Sequence, residues 1–174
     1  GNYFVAVYPP FSAWEPAQVP SLREALDRPT TGVPLGVYVH LPFCQKKCDY
    51  CYYLSYIAQS AVVVDRYLET VLRELEHYAA QPAVRGRSLC FAYFGGGTPS
   101  TLGSTQIRRL ADGMRRALSW KGIEEVTFEC APRSVRRELL ETLRETGVTR
   151  LSLGVQSFDD ALLRLNGRFH LAQD

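Results

Sequence analysis

Three cysteines fall within eight residues of this 174-residue chain: Cys44, Cys48 and Cys51, spaced C-x3-C-x2-C. Thiolates packed this closely repel one another unless a metal takes up their charge. A structural zinc ion is closed by four donors, so it would call for another ligand nearby. Iron–sulfur clusters are ligated mostly by cysteine, at short spacings of this kind. A cubic [4Fe–4S] cluster held by three cysteines leaves one iron open, and an open iron can accept a ligand from outside the protein. The loop reads as a site of that sort, with a zinc-stabilised α/β module as the bland alternative.

The elements that must position this loop follow from periodicity. Leu35–Leu41 reads as a strand ending at Pro42-Phe43, directly before the first cysteine. Val64, Tyr67, Leu68, Val71, Leu72 and Leu75 recur at three- and four-residue steps, the mark of one helix face. The apolar run 89–94 reads as a strand buried on both faces of a parallel sheet. Ser104 is placed to cap a second helix with Ile107, Leu110, Ala111, Met114 and Leu118 inward. Glu125–Cys130 is a third strand, and a helix from Ser134 turns Val135, Leu139 and Leu143 inward until Gly147. Residues 150–154 form a fourth strand, and Asp159 to Leu165 begins another helix.

Strands alternating with helices imply parallel βαβ units. The fold class is α/β, a partial (β/α) TIM-type barrel of about four units, where a full barrel takes roughly 250 residues. Residues 35–174 are therefore expected to be the N-terminal part of a longer barrel domain. Residues 1–34 are rich in proline and read as an extended arm wrapping that domain. The arm carries a short strand over Tyr3 to Tyr8, a short helix over Ser21 to Asp27, and the aromatics Tyr3, Phe4, Tyr8, Phe11 and Trp14 to bury.

Composition narrows the class. The chain is 46% hydrophobic and 22% charged, the profile of a globular domain with a core. Its net charge of +2 comes from 20 basic and 18 acidic residues, too balanced to indicate nucleic acid or an anionic membrane surface as partner. Five cysteines, three clustered and two (Cys90 and Cys130) alone in apolar runs, do not make a disulfide framework. Free thiols suit a reducing cytosol, and no leader or membrane-spanning run is evident, so a cytoplasmic location is expected.

Chemistry in a parallel barrel collects at the carboxyl ends of the strands. The unusual residues of this sequence fall there: the cysteine loop, then Gly95-Gly96-Gly97-Thr98-Pro99, then Glu129, then Gly154-Val155-Gln156, and further on Asn166-Gly167-Arg168 and His170. Each has a plain structural alternative, as a tight turn, a helix cap or a surface charge. His40 and His170 read individually as structural rather than catalytic.

The cysteine spacing, with Tyr50 just before the last cysteine, resembles the loop of radical S-adenosylmethionine (SAM) enzymes. More narrowly, Tyr38-Val-His-Leu-Pro-Phe-Cys44, Phe94-Gly-Gly-Gly-Thr-Pro-Ser100, Leu151-Ser-Leu-Gly-Val-Gln-Ser-Phe158 and Gly167-Arg-Phe-His170 are similar to the oxygen-independent coproporphyrinogen III oxidase group. The resemblance implies that Cys44, Cys48 and Cys51 ligate three irons of a [4Fe–4S] cluster and that SAM chelates the fourth. It implies Tyr38 near the cluster and SAM, Tyr50 beside the adenine, and Gly96, Gly97 and Thr98 at the amino acid end of SAM. Glu129, Gln156 and Arg168 would form a polar SAM shell, part of it serving a second SAM molecule in some relatives. The implied reaction is one-electron cleavage of SAM to a 5′-deoxyadenosyl radical, fed by an electron donor such as a flavodoxin or ferredoxin and directed at a small-molecule substrate.

One departure bears on the substrate. Coproporphyrinogen oxidases usually carry a further cysteine two places after the third, where this chain has Tyr53. The aromatic run there looks more like the class C radical SAM methylases and cyclopropanases. The expectation is therefore methyl or methylene transfer to an unsaturated natural-product substrate, using two SAM molecules. Oxidative decarboxylation of a porphyrinogen is the alternative, and a haem-trafficking chaperone is the alternative from another class.

Overall fold

The apolar runs and the helical stripes resolve into one parallel sheet and the helices that connect its strands. The computed structural model describes residues 13–51 and 53–174; the strand expected over Tyr3 to Tyr8 lies outside them. The elements are α1 (Val19–Asp27), β1 (Leu35–Leu41), β2 (Phe43–Cys44), β3 (Tyr56–Ile57), α2 (Ala61–Ala79), β4 (Leu89–Gly96), α3 (Ser104–Ala117), β5 (Glu125–Cys130), α4 (Arg137–Glu145), β6 (Arg150–Leu153) and α5 (Asp160–Leu165). The main sheet has the order β1-β4-β5-β6, parallel throughout. Each crossover is made by the intervening helix, as in successive units of a (β/α) barrel.

The two faces of the sheet differ. On one face Val39 and Leu41, Ala92 and Phe94, and Val126 and Phe128 pack against Val64, Leu68 and Leu75 of α2, Ile107, Leu110 and Met114 of α3, and Leu139 and Leu143 of α4. Leu68 and Met114 are fully buried, and truncating such a leucine to alanine costs about 2–5 kcal/mol. Gly113 allows α3 to approach α2, since a β-carbon there would lie 2.5 Å from Leu72 Cδ2.

The opposite face carries the register rows Gly36–Phe91–Glu125 and Tyr38–Tyr93–Thr127–Arg150, and above them His40, Gly95, Glu129 and Ser152. The phase of β4 is set by an irregularity at Cys90: Leu89 pairs with Leu35, yet Phe91 pairs with Gly36. The large side chains of β4 are thus buried on the helix face. Phe91, expected to be buried, lies over Gly36 and is 45% exposed, because the four strands do not close and this face stays open.

Other differences are local and have visible causes. α1 begins at Val19 rather than Ser21, with Pro20 in its first turn, where a missing N–H costs nothing. Trp14 is 55% exposed rather than buried. α2 begins at Ala61 because Ser60 caps it, its hydroxyl accepting from Val63 N–H at 3.4 Å. Ser104 does not cap α3: Gly103 holds that position, and the Ser104 hydroxyl donates to Glu138 at 2.8 Å. α4 begins at Arg137 instead of Ser134 because Pro132–Ser134 forms a separate 3-10 turn. Within that turn the Ser134 hydroxyl bonds back to the Ala131 carbonyl at 2.6 Å. β6 ends at Leu153, one residue early. α5 is capped by Asp159, whose Oδ1 accepts from Ala161 and Leu162 N–H at 2.7 and 3.1 Å.

Candidate cofactor site

Pro42 has no amide hydrogen to continue β1, so the chain leaves the main sheet there and forms the small pair β2–β3. Phe43 and Cys44 pair in parallel with Tyr56 and Ile57, and Ala58 N–H bonds the Cys44 carbonyl at 3.0 Å. The loop between them is closed at its middle by a turn, Cys51 N–H to the Cys48 carbonyl at 3.0 Å. That turn explains the x2 spacing, since it folds the third cysteine back beside the second. All three thiols are free and half-buried.

The glycine turn after β4 props this loop. Gly97 N–H bonds the Leu41 carbonyl and Thr98 N–H the Phe43 carbonyl, both at 2.8 Å. A β-carbon at Gly97 would lie 2.7 Å from the Phe43 carbonyl oxygen and 2.9 Å from Cys44 Sγ, so only glycine admits this approach. The Thr98 hydroxyl lies 3.5 Å from Cys44 Sγ as donor. From the other side, the Phe43 ring meets Tyr67 edge-on at 5.2 Å between centroids, and the Tyr67 hydroxyl donates to the His40 carbonyl at 2.6 Å. Helix α2 thereby fixes the strand that ends in the cysteine loop.

Glu129 stands at the end of β5 with both oxygens engaged: the Tyr93 hydroxyl donates to Oε1 at 2.7 Å and Gly96 N–H to Oε2 at 3.1 Å. Tyr38 sits on the same face, its ring 5.8 Å from that of Tyr93 and its hydroxyl 3.0 Å from His40 Nδ1. Burial, and next the Glu129 charge, push the Tyr38 phenol up to about 12, so it keeps its proton at any physiological pH. Burial and the bond to Glu129 likewise raise Tyr93. Gly96 has φ of +118°, and a β-carbon there would meet the His40 ring at 2.9 Å.

The remaining expected residues come from the far side. Tyr50, Gln156, Ser157, Asn166 and Arg168 line a cleft of about 340 Å³. Burial raises the Tyr50 phenol, and the Arg168 charge partly offsets that rise. Arg168 reaches the cysteine loop itself, Nη1 donating to Cys48 Sγ at 3.0 Å and Nη2 to the Gly154 carbonyl at 2.6 Å. His170 is structural as read: it is 4% exposed, with Nε2 2.8 Å from the Val155 carbonyl oxygen.

The structure brings Cys44, Gly97 and Thr98 together, Tyr38, Gly96 and Glu129 together, and Cys48, Tyr50, Gln156 and Arg168 together. It adds Tyr93, which the sequence reading left out, and His40, which it read as structural. Tyr93 was hidden in an apolar run, although its place two residues before the glycine turn was available as a signal.

These residues fit an iron–sulfur cluster. Three thiols lie on one loop, and hydrogen-bond donors face two of them, as suits sulfurs that carry negative charge. Among the described residues no three or more His, Cys, Asp or Glu side chains are arranged to hold a single metal ion. Cys130 stands apart, 4% exposed, with burial pushing its thiol up to about 11. Among the described residues no helix is long and apolar enough to cross a membrane.

Residues 38–174 match the Radical SAM superfamily. The chain is 36% identical over 141 residues to the haem chaperone HemW of Escherichia coli strain K12, covering 81% of this chain and 37% of that protein. It is 36% identical over 135 residues to the oxygen-independent coproporphyrinogen III oxidase of the same strain, covering 78% of this chain and 29% of that protein. The solved structure of the Escherichia coli coproporphyrinogen III oxidase HemN, a radical SAM enzyme, superposes with a TM-score of 0.77 at 34% identity. That match covers 87% of this chain and 34% of HemN. The chain thus spans about a third of the length of the curated relatives it matches.

Proposed function

Because this chain belongs to the radical SAM superfamily, we propose that Cys44, Cys48 and Cys51 hold a [4Fe–4S] cluster beside SAM and that the protein directs the resulting radical at a tetrapyrrole-class substrate. The cysteine loop carries the reading of the chemistry: three half-buried thiols held on the glycine turn after β4 and met by Arg168. The substrate class is supported by the named relatives, a haem chaperone and a coproporphyrinogen oxidase, each related over about four-fifths of this chain.

A cluster held by Cys44, Cys48 and Cys51 would supply the one electron needed for reductive cleavage of the SAM sulfonium bond to methionine and a 5′-deoxyadenosyl radical. The chain's own residues bind and orient. Glu129, fixed at both oxygens, offers a carboxylate that suits an ammonium or ribose hydroxyl. The Gly96-Gly97-Thr98 turn lets the amino acid end of SAM approach the backbone closely, and Tyr50 and Gln156 line the adjoining cleft. Tyr38 stays a neutral phenol, so it adds no charge beside the cluster. The side chains of the open sheet face exclude water once substrate covers them.

A second reading is methyl or methylene transfer with a second SAM. The comparisons lend it no support, since the relatives they name belong to haem metabolism. It is favoured by one observation, Tyr53 at the place where coproporphyrinogen oxidases usually carry a cysteine.

The test uses the full-length protein with its cluster reconstituted and reduced, deuterated-methyl SAM, and a porphyrinogen. Formation of 5′-deoxyadenosine with carbon dioxide from a propionate supports the main reading. Deuterium in the product replaces it with the second. A Soret band on haem titration with no 5′-deoxyadenosine overturns the enzymatic reading in favour of haem trafficking.

A further inference from the structure

We propose that the outer face of the cysteine loop is the docking surface of an acidic one-electron carrier protein, received by Lys46, Lys47 and Arg133 around the Phe169 ring. The inference rests on the cluster reading above. That reading requires an electron from outside the chain, and so a place where a reduced carrier comes close to the cysteines. Gln45, Lys46 and Lys47 fill the x3 interval between Cys44 and Cys48 and are exposed, while both cysteines are half-buried. The chain surface adjoining the thiols on this side therefore carries two lysines.

The cations converge on one aromatic ring. Lys46 Nζ stands 5.2 Å from the centroid of Phe169, and Arg133 Nη1 donates to the Phe169 carbonyl at 3.0 Å. Neighbouring residues hold that ring in place. His170 is 4% exposed, with Nε2 2.8 Å from the Val155 carbonyl oxygen. Asp49 N–H bonds the Asn166 carbonyl at 3.4 Å, joining the cysteine loop to the turn before Phe169. Phe169 itself is 53% exposed. Its three cations come from stretches far apart in the chain, so only the fold assembles the patch.

Lys46, Lys47 and Arg133 take part in none of the ion pairs among the described residues. Neither they nor Phe169 line the cleft of Tyr50, Gln156 and Arg168. The acids nearby in sequence are turned elsewhere. Asp49 lies against Gly167, whose β-carbon would be 3.0 Å from Oδ2; Asp160 accepts from Ala172 N–H and Asp174 from Leu171 N–H, both at 2.8 Å. The balanced charge of the whole chain thus conceals a local positive excess. An exposed aromatic ringed by such cations has the make-up of an interface, an apolar anchor with a charged rim, and the sign of the rim selects an acidic partner. In the docked pair one electron passes from the carrier, oxidised by one, to the cluster, reduced by one; no covalent bond forms or breaks.

The experiment uses the full-length protein with its cluster reconstituted, as wild type, Lys46→Glu, Lys47→Glu and Arg133→Gln. Titration calorimetry measures the Kd for a flavodoxin and for a ferredoxin, and stopped-flow absorbance measures cluster reduction by photoreduced 5-deazaflavin, a small reductant that needs no docking surface. Wild type is expected to bind at least one of the two carriers. Lys46→Glu and Lys47→Glu should each raise that Kd about tenfold at low salt, and the difference should vanish near about 1 M salt, where the Debye length falls to about 3 Å. Reduction by deazaflavin should keep its wild-type rate. An unchanged carrier Kd in the variants overturns the inference, as does a wild type that binds neither carrier. So does an equal loss with deazaflavin, which would place the lysines in the cluster's own support, or a loss of porphyrinogen affinity alone, which would assign the cations to substrate. Should the lysine variants lose iron, Arg133→Gln decides, since it lies outside the cysteine loop: its carrier Kd must rise several-fold, and an unmoved value overturns the inference. A wild-type protein that holds no iron on metal analysis overturns the cluster reading, and this inference with it.

Discussion

Tyr93 on β4 donates its hydroxyl proton to Glu129 on β5 at 2.7 Å, and that contact holds one oxygen of a carboxylate whose other oxygen is held by Gly96 N–H at 3.1 Å. The carboxylate is thereby aimed before any ligand arrives. Removing one hydrogen bond to a charged group costs about 1.5–3 kcal/mol. Tyr93→Phe is expected to weaken SAM binding about tenfold or more while leaving iron content unchanged, as equilibrium binding on the reconstituted full-length protein would show. A variant that binds SAM as wild type does would remove Tyr93 from the site.

Gly97→Ala tests the support under the cysteines. Its β-carbon would press on the Phe43 carbonyl oxygen at 2.7 Å and on Cys44 Sγ at 2.9 Å. Backbone cannot yield as a side-chain tip can, so the cysteine loop must move. The expected outcome is a several-fold loss of bound iron with the far-ultraviolet circular dichroism retained. Gly113→Ala is the control: the nearest atoms to its β-carbon belong to the Leu72 side chain, the first at 2.5 Å. It should lower the melting temperature and leave iron content alone.

The five cysteines should divide cleanly. Cys44→Ala, Cys48→Ala or Cys51→Ala is expected to abolish the brown absorbance near about 400 nm, and an iron chelator acting on the wild type should do the same. Cys130→Ala should retain it, because that thiol is buried in the helix-side core and raised to about 11, hence protonated at neutral pH. Retention of the colour in any of the first three variants would call for a different ligand set.

Tyr38 supplies a pH signature. Its phenol is raised from 10.0 to about 12 in the folded chain. Between those values the unfolded chain has released this proton and the folded chain still holds it. The contribution of the protonated form is therefore intact below pH 10 and is lost as pH rises through about 12. Tyr38→Phe should show a shallower loss of stability over this window than wild type in denaturant titrations. Equal slopes would mean that the phenol is not held protonated.

What the sequence revealed was whatever is local. The cysteine spacing is local, and so are the glycine turn, the acid closing β5 and the helical stripes of α2 and α3; all of these could be placed without knowing the neighbours. Tyr93 could not. It sits in an apolar run that carries no alternation, and only pairing with β1 and β5 shows which of its residues face the open side. Nor could the partner of Arg168, since the contact with Cys48 spans 120 positions. The start of α4 was missed because Pro132 and Ser134 are as compatible with an isolated turn as with a first helical turn, and the bonds to Ala131 and Ser100 decide between them.

The irregularity at Cys90 has a consequence for how the chain could change. Side chains alternate across a strand, so one extra residue exchanges the sides for everything that follows. Pairing Leu89 with Leu35 and then Phe91 with Gly36 turns Ala92 and Phe94 to the helices and Tyr93 to Glu129. A regular β4, with Cys90 itself opposite Gly36, would reverse that assignment along the rest of the strand, placing a tyrosine hydroxyl in the core and a phenylalanine beside the carboxylate, whereas deleting Cys90 would leave each later side chain on its present side. Cys90 thus acts through its backbone, as a parity bit for the strand.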